Sequence, residues 1–161
     1  MLTTTMRAAE AADLPFLQAM LAAAFTWRDD QDVDPAVLDS PEVRHYLDGW
    51  RRPTDFGVVA LRAGDPAGAA WARLLPATDP GYGFVAEGIP ELTLAVASEH
   101  RGHRIGPALL EALVERARAL GVPALSLSVE DGNGARAIYE RQGFVVVGRE
   151  GNSDTMLLTL G

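Results

Sequence analysis

The sequence predicts an α/β (α+β) fold: one mixed, mostly antiparallel central sheet of about seven strands, flanked by helices on both faces. Three observations predict it. First, "ELTLAV", "PALLEALVERARAL" and "GVPALSLSV" form a central strand–helix–strand unit, which requires parallel neighbours. Second, "FGVVALRAG" and "AGAAWARLL", divided by "AGDPAG", and the closing pair "FVVVGR" and "TMLLTL" are hairpin-like and require antiparallel neighbours. Third, 161 residues suffice for one core and are too few for two ordinary ones, so residues 1–161 are expected to form a single domain.

In order along the chain, "TMRAA" is a short strand. "DLPFLQAMLAAAF" is a helix with Asp13 as N-cap and Pro15 in the first turn, with Phe16, Leu17, Met20, Leu21 and Ala24 on one face. "SPEVRHYLDGW" is a short helix capped by Ser40. The two apolar runs of the hairpin follow, then the loop "PATDPGYGFVAEGIP" and the strand "ELTLAV". The long helix has Leu109, Leu110, Leu113, Val114, Ala117 and Leu120 on its buried side. After the strand "GVPALSLSV", "NGARAIYERQ" is a short helix ended by Gly143, and two strands finish the chain.

Composition narrows the function classes. Fourteen basic against 22 acidic residues give a net charge of −8, so no nucleic-acid partner is expected, since that would require a basic face. The absence of cysteine excludes a disulfide framework, thiolate metal sites and a covalent cysteine intermediate. No apolar run approaches the roughly 20 residues of a membrane span. "MLTTTMRAAEAADLP" lacks the charged and apolar regions of a signal peptide, and a soluble cytoplasmic domain is the expectation.

Against this acidic background, "EHRGHRIGPALL" (99–110) crowds two arginines and two histidines around glycines where a strand hands over to the long helix. The first N–H groups of a helix have no partner inside it and carry the positive end of its dipole. Glycine lets the backbone approach a ligand, and arginine adds forked donors. Such a turn is an anion cradle suited to phosphate or pyrophosphate, or else a basic turn that binds nothing. It lacks the Gly-Lys-Ser/Thr ending of a P-loop, and "GYGFVA" (81–86) matches a dinucleotide pattern with neither strand before it nor helix after it.

Arg101, Gly102, His103, Arg104, Ile105 and Gly106 resemble the (Gln/Arg)-x-x-Gly-x-(Gly/Ala) signature of the GCN5-related N-acetyltransferase (GNAT) superfamily, with Arg104 standing where the pattern has its first glycine. "NGARAIYERQGF" (133–144) resembles a second segment of that family, with Asn133, Ala135, Tyr139, Gly143 and Phe144 in register. The likeness covers most of residues 57–160; residues 1–56 share only the β–α–α layout.

The resemblance implies the GNAT fold and transfer of an acetyl group from acetyl-CoA to a primary amine, by direct attack in a ternary complex. The main chain of Arg101, Gly102, His103, Arg104, Ile105, Gly106 and Pro107 would hold the pyrophosphate. Leu94, Ala95 and Val96 would pair their main chain with the pantetheine amides, one amide also polarising the thioester carbonyl, and Asn133 would reach the pantetheine arm. Tyr139 matches the general acid for the departing thiolate; taken without the motif it reads as a buried aromatic beside Ile138.

A cationic alkylamine has a pKa of about 10.4, so a base must remove its proton. Strand five carries Ser126 and Ser128 where some relatives have a glutamate, which leaves Glu91 at the start of strand four as the candidate base acting through water. Glu91 could also be a solvated strand-start carboxylate, and Glu87 is a further option in the loop. His100 and His103 lie too close to the expected pyrophosphate to serve, His45 is a surface or packing residue, and no metal site is expected.

For the acceptor side, Trp27, Trp50, Trp71 and Tyr82 stand with the acidic run from Asp29 to Asp48, a combination suited to a cationic small molecule or peptide and equally to ordinary solvated surface. A ligand-sensing module that keeps the cradle without turnover, and transfer of another acyl group, are the rival readings. Dimerisation is common among such relatives, and no interface is legible.

Overall fold

The computed structural model describes residues 3–27 and 35–161. Its strands are β1 (Thr4–Ala8), β2 (Phe56–Arg62), β3 (Asp65–Arg73), β4 (Glu91–Val96), β5 (Ala124–Glu130), β6 (Val145–Glu150) and β7 (Ser153–Thr159). Its helices are α1 (Leu14–Phe25), α2 (Pro41–Arg44), α3 (Ile105–Ala119) and α4 (Ala135–Gln142). The strands form one seven-stranded sheet in the order β1-β2-β3-β4-β5-β7-β6. Every neighbouring pair is antiparallel except β4 and β5, the two strands joined through α3.

The two sheet faces carry separate cores. α3 buries Leu109, Leu110, Leu113, Val114 and Ala117 against Val58, Ala70, Leu92, Leu125, Leu127 and Met156. Those helix positions recur every three to four residues, so they form one stripe. Each fully buried aliphatic side chain contributes about 1.5–3 kcal/mol, and Leu113→Ala would cost about 2–5 kcal/mol. On the opposite face, Leu17, Met20 and Leu21 of α1 join Val43, Tyr46 and Trp50 over Val59, Ala69 and Trp71. α4 ends at Gly143, whose φ of 107° suits a residue without a Cβ.

Three local expectations change. Leu120, expected on the buried side of α3, follows its last residue and is 50% exposed. Asp13 does not bond the first turn of α1; its carboxylate takes Arg7 Nη1 and Nη2 at 2.8 and 2.7 Å and the Glu10 N–H at 2.7 Å. It therefore caps a 3-10 turn, Ala11–Asp13, that precedes α1 and was not legible from the sequence pattern. Ser40 precedes α2 as expected, but its hydroxyl bonds Glu42 rather than a main-chain N–H. Of the acidic run, Asp29, Asp30, Asp32 and Asp34 lie outside the described residues. Among the described residues no helix is long and apolar enough to cross a membrane.

Candidate active site

β4 and β5 are in register only at Glu91 and Ser126, where the Ser126 N–H bonds the Pro90 carbonyl at 3.0 Å. Beyond that point the strands part, opening a cleft of about 940 Å³. On its other edge β4 stays paired with β3 through to the Ala97 N–H, which bonds the Ala67 carbonyl. Main-chain groups point alternately to the two edges of a strand. Ala95 and Ala97 therefore face β3, while Leu94 and Val96 turn their N–H and C=O groups to the cleft. This refines the sequence expectation, which treated Leu94, Ala95 and Val96 alike.

At one end of the cleft lies the basic turn. Gly102 has φ 83°, and Arg104, at the glycine position of the signature, has φ 59° and ψ 28°. The turn thus keeps a left-handed, glycine-type shape with an arginine in it, at a cost of about 1–2 kcal/mol. Gly106 is needed for a different reason. A Cβ there would come within 3.1 Å of Ile138 Cδ1, so its absence lets α3 approach α4. Arg101 and Arg104 line the cleft with His100, whose Nδ1 is buried without a partner. His103 is exposed and is the one residue of the predicted turn that does not line the cleft.

Tyr139 sits midway, 6% exposed and edge-on to Phe144 at 5.9 Å. Its hydroxyl has no hydrogen-bond partner among the described residues, and burial pushes its pKa well up, so it stays a proton donor. Asn133 uses Oδ1 to accept the Ala135 N–H at 2.9 Å at the start of α4, which leaves its NH₂ for the cleft it lines.

At the far end, Glu91 is 5% exposed, not solvated. Burial lifts its pKa from 4.5 to about 7, while the Tyr46 hydroxyl and the nearby Gly83 N–H pull the other way. Tyr46 donates to Oε2 and itself accepts the Tyr82 N–H at 2.8 Å. Burial and the adjacent carboxylate hold the Tyr46 phenol well above its ordinary pKa, so it remains a donor. Oε1 of Glu91 and Oγ of Ser126, on registered neighbours, are both buried without a partner.

The "GYGFVA" stretch finds its purpose here. A Cβ on Gly81 would fall 2.1 Å from Glu91 Oε1, and one on Gly83 would fall 2.4 Å from the Leu127 carbonyl carbon. Only glycine lets this loop close over Glu91 and β5.

Other candidates are elsewhere. Glu87 is exposed and accepts the Ala77 N–H at 3.2 Å. Trp50 and Trp71 do not line the cleft; both are buried, bonding the carbonyls of Glu10 and Tyr46. Trp27 and Tyr82 do line it, with Phe25, Tyr46 and Glu150. His45 is buried and bonds Asp79 at 3.0 Å. Tyr46 is the residue that sequence reasoning missed.

A parallel pair that opens into a cleft, with a basic turn leading into the intervening helix, defines the class. The chain belongs to the acetyltransferase (GNAT) family, whose model matches residues 17–144. It is 38% identical over 71 residues to the L-methionine sulfoximine/L-methionine sulfone acetyltransferase of Pseudomonas paraeruginosa, over 44% of this chain and 40% of that one. The chain spans about 40% of the length of the curated relatives it matches. A ribosomal-protein-alanine N-acetyltransferase from Brucella melitensis is 30% identical over 97% of this chain and 99% of that one, with a TM-score of 0.68. A phosphinothricin acetyltransferase from Sinorhizobium meliloti, solved with acetyl-CoA, shares the fold at a TM-score of 0.68 and 23% identity, over 99% of this chain and 89% of that one.

The residues present fit such an acyl donor. The cleft offers unpaired main-chain groups at Leu94 and Val96, the free N–H groups of Ile105 and Gly106 at the start of α3, and the cations Arg101 and Arg104. The orphaned Nδ1 of His100 lies among them.

Proposed function

We propose that the protein is an N-acetyltransferase that moves an acetyl group from acetyl-CoA to a primary amine. The observation that carries this reading is that a single cleft holds the unpaired edge of β4, the unpartnered Tyr139 hydroxyl and the raised Glu91 carboxyl.

Bound acetyl-CoA would supply a thioester carbonyl, an electrophile with a good leaving group. Arg101, Arg104 and the first N–H groups of α3 bind the pyrophosphate. Leu94 and Val96 bind the pantetheine amides through their main chain, and an N–H from this edge polarises the carbonyl oxygen. Glu91, half ionised near neutral pH, takes a proton from the substrate ammonium through a water held between Oε1 and Ser126 Oγ, freeing the amine lone pair for attack; two buried unpartnered oxygens are what such a water needs. As the new C–N bond forms and the C–S bond breaks, Tyr139 gives its proton to sulfur, and the surplus proton left on the acylated nitrogen goes to restore the phenol, leaving a neutral amide and a free thiol.

The acceptor reading is a cationic amine, small molecule or peptide. At the acceptor end Phe25 packs against Tyr46 and Tyr82 at 5.7 and 5.9 Å, with Glu91 and Glu150 alongside. Aromatic faces and carboxylates attract cations. The Brucella relative, an N-acetyltransferase by name, supports nitrogen as the accepting atom.

Calorimetric titration with acetyl-CoA tests the cradle, beside a variant carrying Arg101→Ala and Gly106→Glu. Binding that disappears in the variant is the expected result. Absence of binding by the unaltered protein at about millimolar donor, an affinity of only about 4 kcal/mol, would overturn the reading.

A further inference from the structure

Arg73 occupies the β3 position paired with Glu91 of β4, on the face that carries Tyr46. It is 1% exposed, and its donors have assigned partners. Nε and Nη2 form a fork onto Asp55 at 3.1 and 2.7 Å. Nη1 bonds the carbonyls of His45, at 3.1 Å, and Asp48. Two residues away on the same strand face, Trp71 Nε1 bonds the carbonyl of Tyr46 at 3.0 Å.

Three carbonyls of the turn that follows α2 are therefore held by two side chains of β3. α2 has only four residues, too short to fix its own C-terminal turn. A buried ion pair is a poor source of stability, because desolvation offsets its attraction. Its value here is directional: the guanidinium fork fixes where the turn sits, and the turn fixes where the Tyr46 hydroxyl sits.

We infer that Arg73, oriented by Asp55 and assisted by Trp71, is a positioning residue of the active site, holding the turn so that Tyr46 aims its hydroxyl at Glu91. This rests on the reading of Glu91 as the base. Arg73 touches neither the cleft nor Glu91's carboxyl; it acts through Tyr46. The titratable group in contact with Glu91 is Tyr46 from the α2 turn. Tyr82, from the loop, lies beside it through its N–H, and His45 lies behind it with ring centroids 4.6 Å apart, bonded to Asp79.

The test is the pH midpoint of the Glu91 side-chain carbon by NMR, in chains carrying ¹³C-labelled glutamate, with Glu91→Gln to assign the resonance. Tyr46→Phe, Arg73→Lys and the double variant are compared with the unaltered protein. Loss of a hydrogen bond to a carboxylate raises its midpoint by about one unit, about tenfold in proton affinity. Tyr46→Phe and Arg73→Lys are both expected to raise it, and the double variant to raise it no further than Tyr46→Phe alone. If Arg73→Lys does not fold, Trp71→Phe keeps an aromatic ring in the core while deleting the pyrrole part of the indole with its N–H, and is expected to raise the midpoint by a smaller amount.

Unchanged midpoints in folded Arg73→Lys or Trp71→Phe, or additive shifts in the double variant, would overturn the inference and leave Arg73 a purely structural residue. A shifted midpoint with an unshifted pH–rate profile would uphold the positioning role while removing Glu91 as the base.

Discussion

The Tyr46 hydroxyl donates to Oε2 of Glu91, joining the turn after α2 to the first residue of β4 across 45 positions of sequence. That bond keeps one carboxylate oxygen fixed and leaves the other unpartnered inside the molecule. A buried acid held this way has consequences for stability as well as for chemistry.

The stability consequence follows from burial lifting the Glu91 pKa from 4.5 to about 7. Between those values the folded chain holds a proton that the unfolded chain has released, so stability falls as pH rises through that window. The loss from this one group approaches about 3 kcal/mol above neutrality. Glu91→Gln cannot ionise and should gain on the unaltered protein between about pH 5 and about pH 8. Urea unfolding at the two pH values measures it; a constant difference between the two proteins would contradict the account.

Tyr139→Phe should lower kcat by about 10²–10⁴, the usual contribution of a positioned general acid. Its hydroxyl has no protein partner among the described residues and its ring packs on Phe144, so the thermal midpoint should hold. Parallel rate and melting measurements separate the two effects. Equal loss of both would make Tyr139 a packing residue.

Arg104→Gly separates backbone strain from ligand charge. The left-handed φ of 59° disfavours arginine, so glycine should leave stability equal or raise it by up to about 1 kcal/mol. The same change removes a cation from the cleft and should weaken acetyl-CoA binding about five- to tenfold. Melting and calorimetry of one variant check both directions.

Asp55→Ala leaves the Arg73 guanidinium buried and uncompensated. The expected cost is about 3–5 kcal/mol, read as a shift in the urea midpoint. A cost below about 1 kcal/mol would mean water reaches the guanidinium.

Most of the fold was legible because its signals are local. The stripe Leu109, Leu110, Leu113, Val114 and Ala117 marks α3, and "ELTLAV" coincides with β4. The turn and the 133–144 segment were legible as contiguous motifs, and the fold brings both to one cleft. The Glu91 end of that cleft was not legible, because its contacts join distant positions. Nothing near Tyr46 in the sequence announces Glu91, and nothing near Trp50 or Trp71 says that their indoles face the core rather than the cleft. Whether Glu91 is solvated or buried depends on the loop that Gly81 and Gly83 allow to close, a tertiary fact.

The most direct measurement is the pH–rate profile of amine-dependent thiol release from acetyl-CoA, for the unaltered protein and for Glu91→Gln, with a cationic primary amine as acceptor. The account predicts an acidic limb near pH 7 in the unaltered protein, from the Glu91 carboxyl at about 7. In Glu91→Gln it predicts loss of that limb and a fall of about 10²-fold or more in kcat/KM. A Glu91→Gln enzyme with the original rate and the original limb would contradict it.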